Sequence, residues 1–425
     1  MIVNKLQQII NIKELRNNIL FVLGILVIFR FAAHVPIPGV NTANLREFFG
    51  SNQVLGLLNM FSGGVMENFS IVMMGIAPYI TSSIIFQLLG MIVPKMEEMQ
   101  KEEQGRQKIN TWTRWATVPF AAIQAFGMIT ILQKSQYDIL GDIGAFDMFV
   151  MIVTITAGTV FLMWLGELIT EKKIGNGISI LIFAGIISSL PQVIQQTIAT
   201  YDPSKLFTIV GFLALAVATI AGVIYVTEGQ RNIPVQYARQ VRAGRTYGGE
   251  NTHLPLRVNM AGVIPIIFAI SIIIFPSMIA QFFINAQTPW VASVAQWVIE
   301  LFQKDLFYGV VYFVLVFGFT FFYTEVVFHP DRIAENLQKQ GGFIPGIRPG
   351  NETSEYLSRI SHRVVLVGAL FLSFIAVMPL IVRYFSGAQF LVIGGTSLLI
   401  VVSVVIDIVK QIEAQLTMRE YDNIK

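Results

Sequence analysis

Cysteine is absent from this 425-residue chain, and charged residues are scarce. Without cysteine, the chain has no disulfides, no thiolate metal sites and no cysteine nucleophile. Asp, Glu, Lys and Arg make up only 13% of the sequence, whereas hydrophobic residues make up 54%. Soluble domains carry roughly 25% charged residues. So few polar side chains cannot cover a water-facing globule, and the composition therefore predicts a polytopic membrane protein.

Catalytic groups are missing from the positions where an intramembrane enzyme would need them. The four histidines, His34, His253, His329 and His362, lie in predicted loops or at the ends of apolar segments. The sequence contains neither a His/Glu zinc helix nor a Gly-Lys-Ser/Thr phosphate-binding loop. We therefore expect a protein that is not an enzyme and that uses no cofactor or metal.

Long apolar segments dominate the chain, and ten of them can cross a membrane as helices. A transmembrane helix needs about 20 mostly apolar residues, and these runs are continuous rather than alternating. The fold prediction is therefore all-α, with ten transmembrane helices. The predicted spans are 18–34, 70–93, 115–133, 149–169, 178–198, 206–227, 259–283, 306–328, 363–382 and 390–409.

Positive charge is strongly asymmetric between the two sides of these spans. Of the 29 Lys and Arg residues, all but Arg30, Arg46, Lys134, Lys205, Lys304 and Arg383 fall on the side of the N-terminus. Cytosolic segments are enriched in Lys and Arg, so this side is predicted to be the cytosol. Both termini and the two longest connections, 228–258 and 329–362, are then cytosolic.

The spans divide into two groups of five near Tyr201-Asp202-Pro203. We expect an N-terminal half, 1–200, and a C-terminal half, 201–425, which carries the two cytosolic loops. An odd number of helices makes the second half enter the membrane from the opposite side. Halves that share a fold would therefore form an inverted repeat.

Two apolar segments on the outer side are too short to span. Residues 55–66 could fold back as a half-helix or lie at the membrane surface, and hydropathy does not separate these alternatives. Residues 289–302, with Trp290 and Trp297, are predicted to form an amphipathic interfacial helix.

Ionisable residues avoid the centres of the predicted spans. Arg30, Glu167, Glu325 and Arg383 lie near span ends, where long charged side chains reach the interface. An ion-coupled transporter usually keeps such groups at membrane depth. The pattern favours a passive conduit with apolar walls, and the alternative is an inverted-repeat secondary transporter of small solutes.

Seven motifs, in order along this frame, resemble the SecY family, the channel subunits of the bacterial protein translocase. The resemblance covers essentially the whole chain. The motifs are PIPG at 36–39, NMFSGG at 59–64, GIAPYI at 75–80, GNGIS at 175–179, NMAGVIP at 259–265, FIPGIRPG at 343–350 and GGTSLLI at 394–400.

The resemblance implies a channel in the bacterial cytoplasmic membrane that passes unfolded secretory chains and releases membrane segments sideways into lipid. It also implies an hourglass pore with a plug in the outer funnel, within segment 55–69, at Phe61, Ser62, Gly63, Gly64, Val65 and Met66. The waist would be a ring of aliphatic side chains from Ile76, Ile80, Ile178, Ile182, Ile267 and Ile400.

The resemblance further implies a lateral gate and a set of partners. Thr81, Gln87 and Asn259 are the polar residues on the helices that would form the gate. The cytosolic loops would dock the ribosome and the SecA motor ATPase through Arg242, Arg245 and Arg348. The other implied partners are the SecE and SecG subunits, membrane lipid and an unfolded polypeptide with a signal sequence.

Overall fold

The computed structural model describes most of the chain and is dominated by helices. It describes residues 12–51, 64–133, 135, 139–141, 143–199, 206–237, 240–242, 245–247, 251–284, 288–386 and 395–422. The helices are α1 (Lys13–Ala33), α2 (Thr42–Ser51), α3 (Ala77–Ile92), α4 (Pro94–Lys101), α5 (Glu103–Gln133), α6 (Ala145–Glu171), α7 (Gly177–Ala199), α8 (Leu206–Glu228), α9 (Ile264–Phe283), α10 (Pro289–Gln303), α11 (Asp305–Val327), α12 (Pro330–Lys339), α13 (Asn351–Ser386) and α14 (Gly395–Asp422).

Each of the ten predicted spans contains one helix, namely α1, α3, α5 to α9, α11, α13 and α14. Within the described residues, six helices are individually long and apolar enough to cross a membrane. A seventh counts if α3 and α4 are taken as one span, although they are bent by 110°. Pro94 begins α4 after an extended Val93, and proline cannot donate the hydrogen bond that would continue the preceding helix.

Several helices begin or end at residues other than those predicted from hydropathy. The second span was predicted from residue 70, but residues 71–76 form turns and α3 begins at Ala77. Gly75 has a φ of +56° and Gly262 a φ of +64°. Glycine adopts this left-handed conformation easily, and each of the two residues lies shortly before the first residue of a helix. Conversely, α13 begins at Asn351 and α14 reaches Asp422, because polar helical turns continue beyond the apolar segments.

The two long connections, which were predicted to be cytosolic loops, fold into a small subdomain. Strands β1 (Gln230–Tyr237), β4 (Asn251–Arg257) and β5 (Gly342–Phe343) form an antiparallel sheet in the order β4-β1-β5. The short strands β2 (Gln240–Arg242) and β3 (Arg245–Tyr247) pair at the tip of the β1–β4 hairpin. Within the described residues, the otherwise helical architecture therefore carries a three-stranded sheet and a two-stranded sheet.

Aliphatic side chains hold this subdomain together. Alternation along β1 places Ile233 and Val235 on the buried face of the sheet. Each fully buried aliphatic side chain stabilises the fold by roughly 1.5–3 kcal/mol. The buried core consists of Ile233, Val235, Leu256, Leu337, Ile344, Leu357 and Ile360.

The chain divides into two compact units. The first contains Met1–Pro203, Ser271–Tyr308 and Val404–Lys425, and the second contains Ser204–Ile270 and Gly309–Ser403. The subdomain formed by the two long connections belongs entirely to the second unit. The division into halves 1–200 and 201–425 stays a prediction.

Candidate functional site

Four of the six predicted ring residues lie in the first unit, at the beginnings of α3 and α7. Ile76 directly precedes α3, and its carbonyl accepts a hydrogen bond from the N–H of Ile80 at 3.1 Å. The two side chains are therefore one helical turn apart on one face. Ile178 and Ile182 have the same spacing in α7.

The orientation of α7 is fixed at its first turn. Asn176 Oδ1 accepts hydrogen bonds from the N–H groups of Ile178 and Ser179, at 3.0 and 3.2 Å. Such a side-chain cap typically contributes about 1 kcal/mol to helix stability. A Cβ atom added to Gly166 of α6 would lie only 2.8 Å from Cδ1 of Ile178, which is too close for two carbon atoms. Glycine at 166 therefore leaves the space that Ile178 occupies.

The other two ring residues lie in the second unit. Ile267 is half-buried in α9, two residues after Pro265, whereas Ile400 is fully buried in α14. The shared ring around a pore stays a prediction, because each set is described here only within its own unit.

The plug prediction falls partly outside the described residues, which exclude Phe61, Ser62 and Gly63. The described part is packed rather than exposed. Val65 and Met66 are buried, and Gly64 has a φ of +74°. Met66 belongs to a hydrophobic core of the first unit that also contains Ile37, Leu45, Phe49, Phe69, Met73, Met128, Ile129, Leu132 and Ile155. A freely exposed surface loop would not bury these side chains.

The turns that follow the plug segment rest directly on α6. A Cβ on Gly158 would stand 1.9 Å from the carbonyl oxygen of Ile71. Only glycine allows this approach, because real atoms cannot come so close. The N–H of Ile37 also donates to the carbonyl of Phe69 at 2.9 Å, which ties the same turns to the chain after α1.

This contact predicts that Gly158→Val destabilises the protein strongly. Overpacking of this kind typically costs about 1–3 kcal/mol, and backbone rather than a flexible side chain must move here. The thermal unfolding midpoint of the purified protein in detergent should fall. Gly24→Ala in α1 is the control, since nothing lies within 4 Å of its added methyl group. Equal midpoints for both variants would contradict the packing.

The predicted gate residues do not all need partners beyond their own helix. Thr81 Oγ1 donates to the carbonyl of Ala77 at 3.0 Å, and Gln87 Nε2 donates to Ser83 Oγ at 3.0 Å. Gln87 Oε1 is buried without a hydrogen-bond partner among the described residues, and in Asn259 both the amide oxygen and the amide nitrogen lack one. An unsatisfied buried polar group costs about 1–3 kcal/mol, so Asn259 is the gate candidate that most needs an outside partner.

An ion pair that the sequence did not predict joins α5 and α6. Arg114 Nε lies 2.5 Å from Glu167 Oε1. Ser82 Oγ donates to the neighbouring carbonyl of Thr113 at 2.8 Å, which places the pair level with the middle of α3. Hydropathy had assigned Arg114 to a cytosolic connection, because α5 extends beyond its apolar segment. The only sequence signal was opposite charge near the inner ends of two consecutive spans.

We expect Arg114 and Glu167 to couple energetically. Arg114→Gln and Glu167→Gln should each lower the unfolding midpoint, because each leaves one charge without its partner. The double variant should lose less than the two single losses combined, with a coupling energy of roughly 0.5–3 kcal/mol. Thermal unfolding of the parent protein, the two single variants and the double variant gives this double-mutant cycle. Strictly additive losses would show that the ion pair contributes nothing to stability.

Arg348, one of the three predicted docking residues, stands on a turn that is anchored in the core of the subdomain. Its side chain is 87% exposed, whereas Ile344 at the start of the turn is buried in the subdomain core. Gly346 has a φ of +83°, and Thr353 Oγ1 donates to the carbonyl of Arg348 at 2.8 Å. The turn therefore holds a guanidinium group out into solvent.

The other two predicted docking residues occupy the tip of the hairpin. Arg242 ends β2 and Arg245 begins β3, and they are paired in the antiparallel register. Within the described residues there is no cluster of three or more His, Asp or Glu that could hold a metal ion.

The family comparison identifies one protein family over most of the chain. The SecY family model matches residues 70–409. The protein translocase subunit SecY of Halalkalibacterium halodurans is 45% identical, covering 98% of both chains. SecY of Vibrio cholerae is 42% identical, covering 97% of this chain and 94% of its own.

Solved structures share the fold at low sequence identity. A protein-conducting channel superposes with a TM-score of 0.62 at 18% identity, covering 92% of this chain and 90% of that one. A SecY structure whose plug domain stabilises the closed state gives a TM-score of 0.61 at 18% identity, with the same coverage of 92% and 90%. The yeast Ssh1 complex bound to the yeast 80S ribosome gives 0.59 at 15% identity, covering 95% and 89%.

Proposed function

The chain belongs to the SecY family of protein translocase subunits, and from this membership we propose how its residues perform the family's task. It is a protein-conducting membrane channel, which passes unfolded secretory polypeptides across the membrane and releases membrane segments into lipid. The matches do not support the alternative of a small-solute transporter. The match over residues 70–409, which contains every proposed ring and gate residue, carries this conclusion.

We propose that Ile76, Ile80, Ile178, Ile182, Ile267 and Ile400 form the waist of the pore. The cargo is an unfolded chain of any sequence, so a polar ring would hold some side chains too tightly. Isoleucine offers no hydrogen bond, and its branched Cβ makes χ1 stiff. A narrow aliphatic collar can also dewet and so block ions while no chain is passing.

The plug is proposed to be the segment around Gly64, Val65 and Met66. Burial of Val65 and Met66 supports a segment that is packed in place, and the left-handed Gly64 supplies a bend within it. A related SecY structure has a plug domain that maintains a membrane seal. Opening of this channel would then require Met66 to leave its apolar core.

The lateral gate is proposed to include Thr81, Gln87 and Asn259. Hydrogen bonds between membrane helices are worth about 0.6–2 kcal/mol each, weak enough for a hydrophobic signal sequence to displace. The amide of Asn259, which has no partner among the described residues, supports this role most directly, because opening the gate would break no hydrogen bond to it.

The cytosolic subdomain is proposed to dock the ribosome and the SecA motor through Arg348, Arg242 and Arg245. One structural relative is a channel complex bound to a ribosome. Arginine binds RNA phosphate and protein carboxylate equally well, because its planar fork matches both. SecE and SecG are the proposed companion subunits, and the bacterial cytoplasmic membrane, with both termini in the cytosol, is the proposed location.

Reconstitution tests this function directly. The chain is purified with SecE and SecG and placed in proteoliposomes with SecA, ATP and a radiolabelled secretory precursor. We expect ATP-dependent protection of the precursor from protease, and none without SecA. Saturable uptake of a small solute without precursor protection would instead establish the transporter alternative.

A further inference from the structure

Helix α10, Pro289–Gln303, is held at the outer boundary of the membrane by its two neighbours in the chain. The span α9 ends at Phe283, and the span α11 begins at Asp305, directly after Lys304. So short a connection cannot carry the helix away from the ends of these spans. α10 therefore lies where lipid, water and protein meet.

One face of α10 packs against the protein. Ala295 is buried, and Val291, Val298 and Phe302 are partly buried on the same side of the helix. The ring of Phe302 meets the ring of Phe307 edge-on, with centroids 5.3 Å apart, at the beginning of α11. These contacts fix the rotation of α10 about its own axis.

A second face is polar and carries its own hydrogen bonds. Ser293 Oγ donates to the carbonyl of Pro289 at 2.9 Å, and Gln296 Nε2 donates to Glu300 Oε1 at 3.1 Å. These side chains are exposed and suit contact with water.

The third face is apolar but exposed. Trp290, Val294 and Trp297 follow one another at spacings of four and three residues, so they share one side of the helix. Their exposed fractions are 70%, 51% and 60%. Two large indoles left in water would forgo substantial hydrophobic stabilisation. A rotation fixed by the packed face leaves this side pointing past the protein.

We infer that the face formed by Trp290, Val294 and Trp297 binds the lipid at the outer edge of the bilayer. Tryptophan is enriched at membrane–water interfaces, because its ring is apolar while its N–H remains hydrogen-bonded to headgroups or water. Interfacial helices bury such faces about 5–10 Å into the headgroup and acyl boundary. α10 thus sets the membrane depth of the connection between the seventh and eighth spans.

The charge of α10 specifies the kind of lipid. Helices that require anionic lipid are rich in Lys and Arg, whereas residues 289–303 contain neither and carry one acidic residue, Glu300. The occupant is therefore the glycerol and upper acyl region of any phospholipid, and binding does not depend on headgroup charge.

Quenching of tryptophan fluorescence by brominated lipid tests this assignment. The full channel complex, with tryptophan-free companion subunits, is placed in nanodiscs after Trp112, Trp115 and Trp164 are replaced with phenylalanine. Trp290 and Trp297 are then the remaining fluorophores. Bromines are placed either high on the acyl chain or near the bilayer centre, in neutral and in anionic phospholipid.

We expect high-chain bromines to quench at least about twofold, bromines at the bilayer centre to quench less, and neutral and anionic lipids to behave alike. The matched control moves the indole to the polar face, with Trp290→Phe, Trp297→Ser and Gln296→Trp, and should lose this quenching.

Unquenched emission at the wavelength of indole in water would place the face in solvent. Unquenched but blue-shifted emission would mean that protein covers it. Quenching confined to anionic lipid would contradict the charge independence. Each of these three results would overturn the inference.

Discussion

Reversing the charge of Arg348 should abolish protein translocation while leaving the amount of protein in the membrane unchanged. The side chain is 87% exposed and its nearest carboxylate, on Glu352, is 3.9 Å away, so Arg348→Glu removes little from the fold. Both side chains are largely exposed, so repulsion between two acidic groups here costs less than about 1 kcal/mol. Docking of a ribosome or motor to a positive group should suffer far more, because like charges across an interface cost several kcal/mol.

The measurement is precursor protection in proteoliposomes, with the membrane level of the channel determined in parallel. Arg332→Glu is the matched control, since Arg332 is another exposed arginine of the same subdomain, on α12. It should retain translocation if the rigid turn is what presents the docking group. Normal translocation by a stably inserted Arg348→Glu protein would reject the docking role. The general enrichment of Lys and Arg on the cytosolic side would then be enough to explain the arginine at this position.

Replacing Ile267 with asparagine should make the resting channel leak ions and export cargo whose signal sequence is too weak for the parent. The substitution keeps similar bulk but adds a donor and an acceptor to the proposed collar. Water would then be favoured where an aliphatic ring excludes it. An unpaired buried amide costs roughly 1–3 kcal/mol, and this cost falls on the closed state.

Single-channel recording and export of a defective-signal reporter measure these two effects, with protein abundance as the third readout. Ile267→Leu is the control, because it keeps the volume and adds no polar atom. If Ile267 only packs between helices, the amide would destabilise the whole protein. Export and abundance would then fall together, and that result would reject the ring role.

The apolar segments determined most of the architecture before any tertiary information was available. Every predicted span contains a helix, because lipid leaves no alternative for a long apolar run whose backbone must be hydrogen-bonded internally. The same argument fails at polar boundaries. Hydropathy could not detect that α5, α13 and α14 continue as helices beyond their apolar segments, since the added turns carry ordinary polar residues.

The three-stranded sheet of the subdomain could not be predicted from the sequence alone. Polar and apolar residues alternate over only a few positions in β1 and β4, and β5 has only two residues. No single segment is therefore long enough to predict a strand. Ile344 and Leu357 enter the same core as Ile233 although they are more than one hundred positions away. Their burial depends on pairing between distant segments, which local patterns do not encode.

The sequence by itself therefore determined the membrane class, the ten helices, the charge asymmetry and, through its motifs, the family. Only the tertiary structure decided which groups meet. It placed Arg114 beside Glu167, fitted the backbone of Ile71 against Gly158, and left the amide of Asn259 without a partner among the described residues. Hydrophobicity is a property of each residue and can be read along the chain. A close contact depends on the packing of several helices at once, and it exists only after they have folded together.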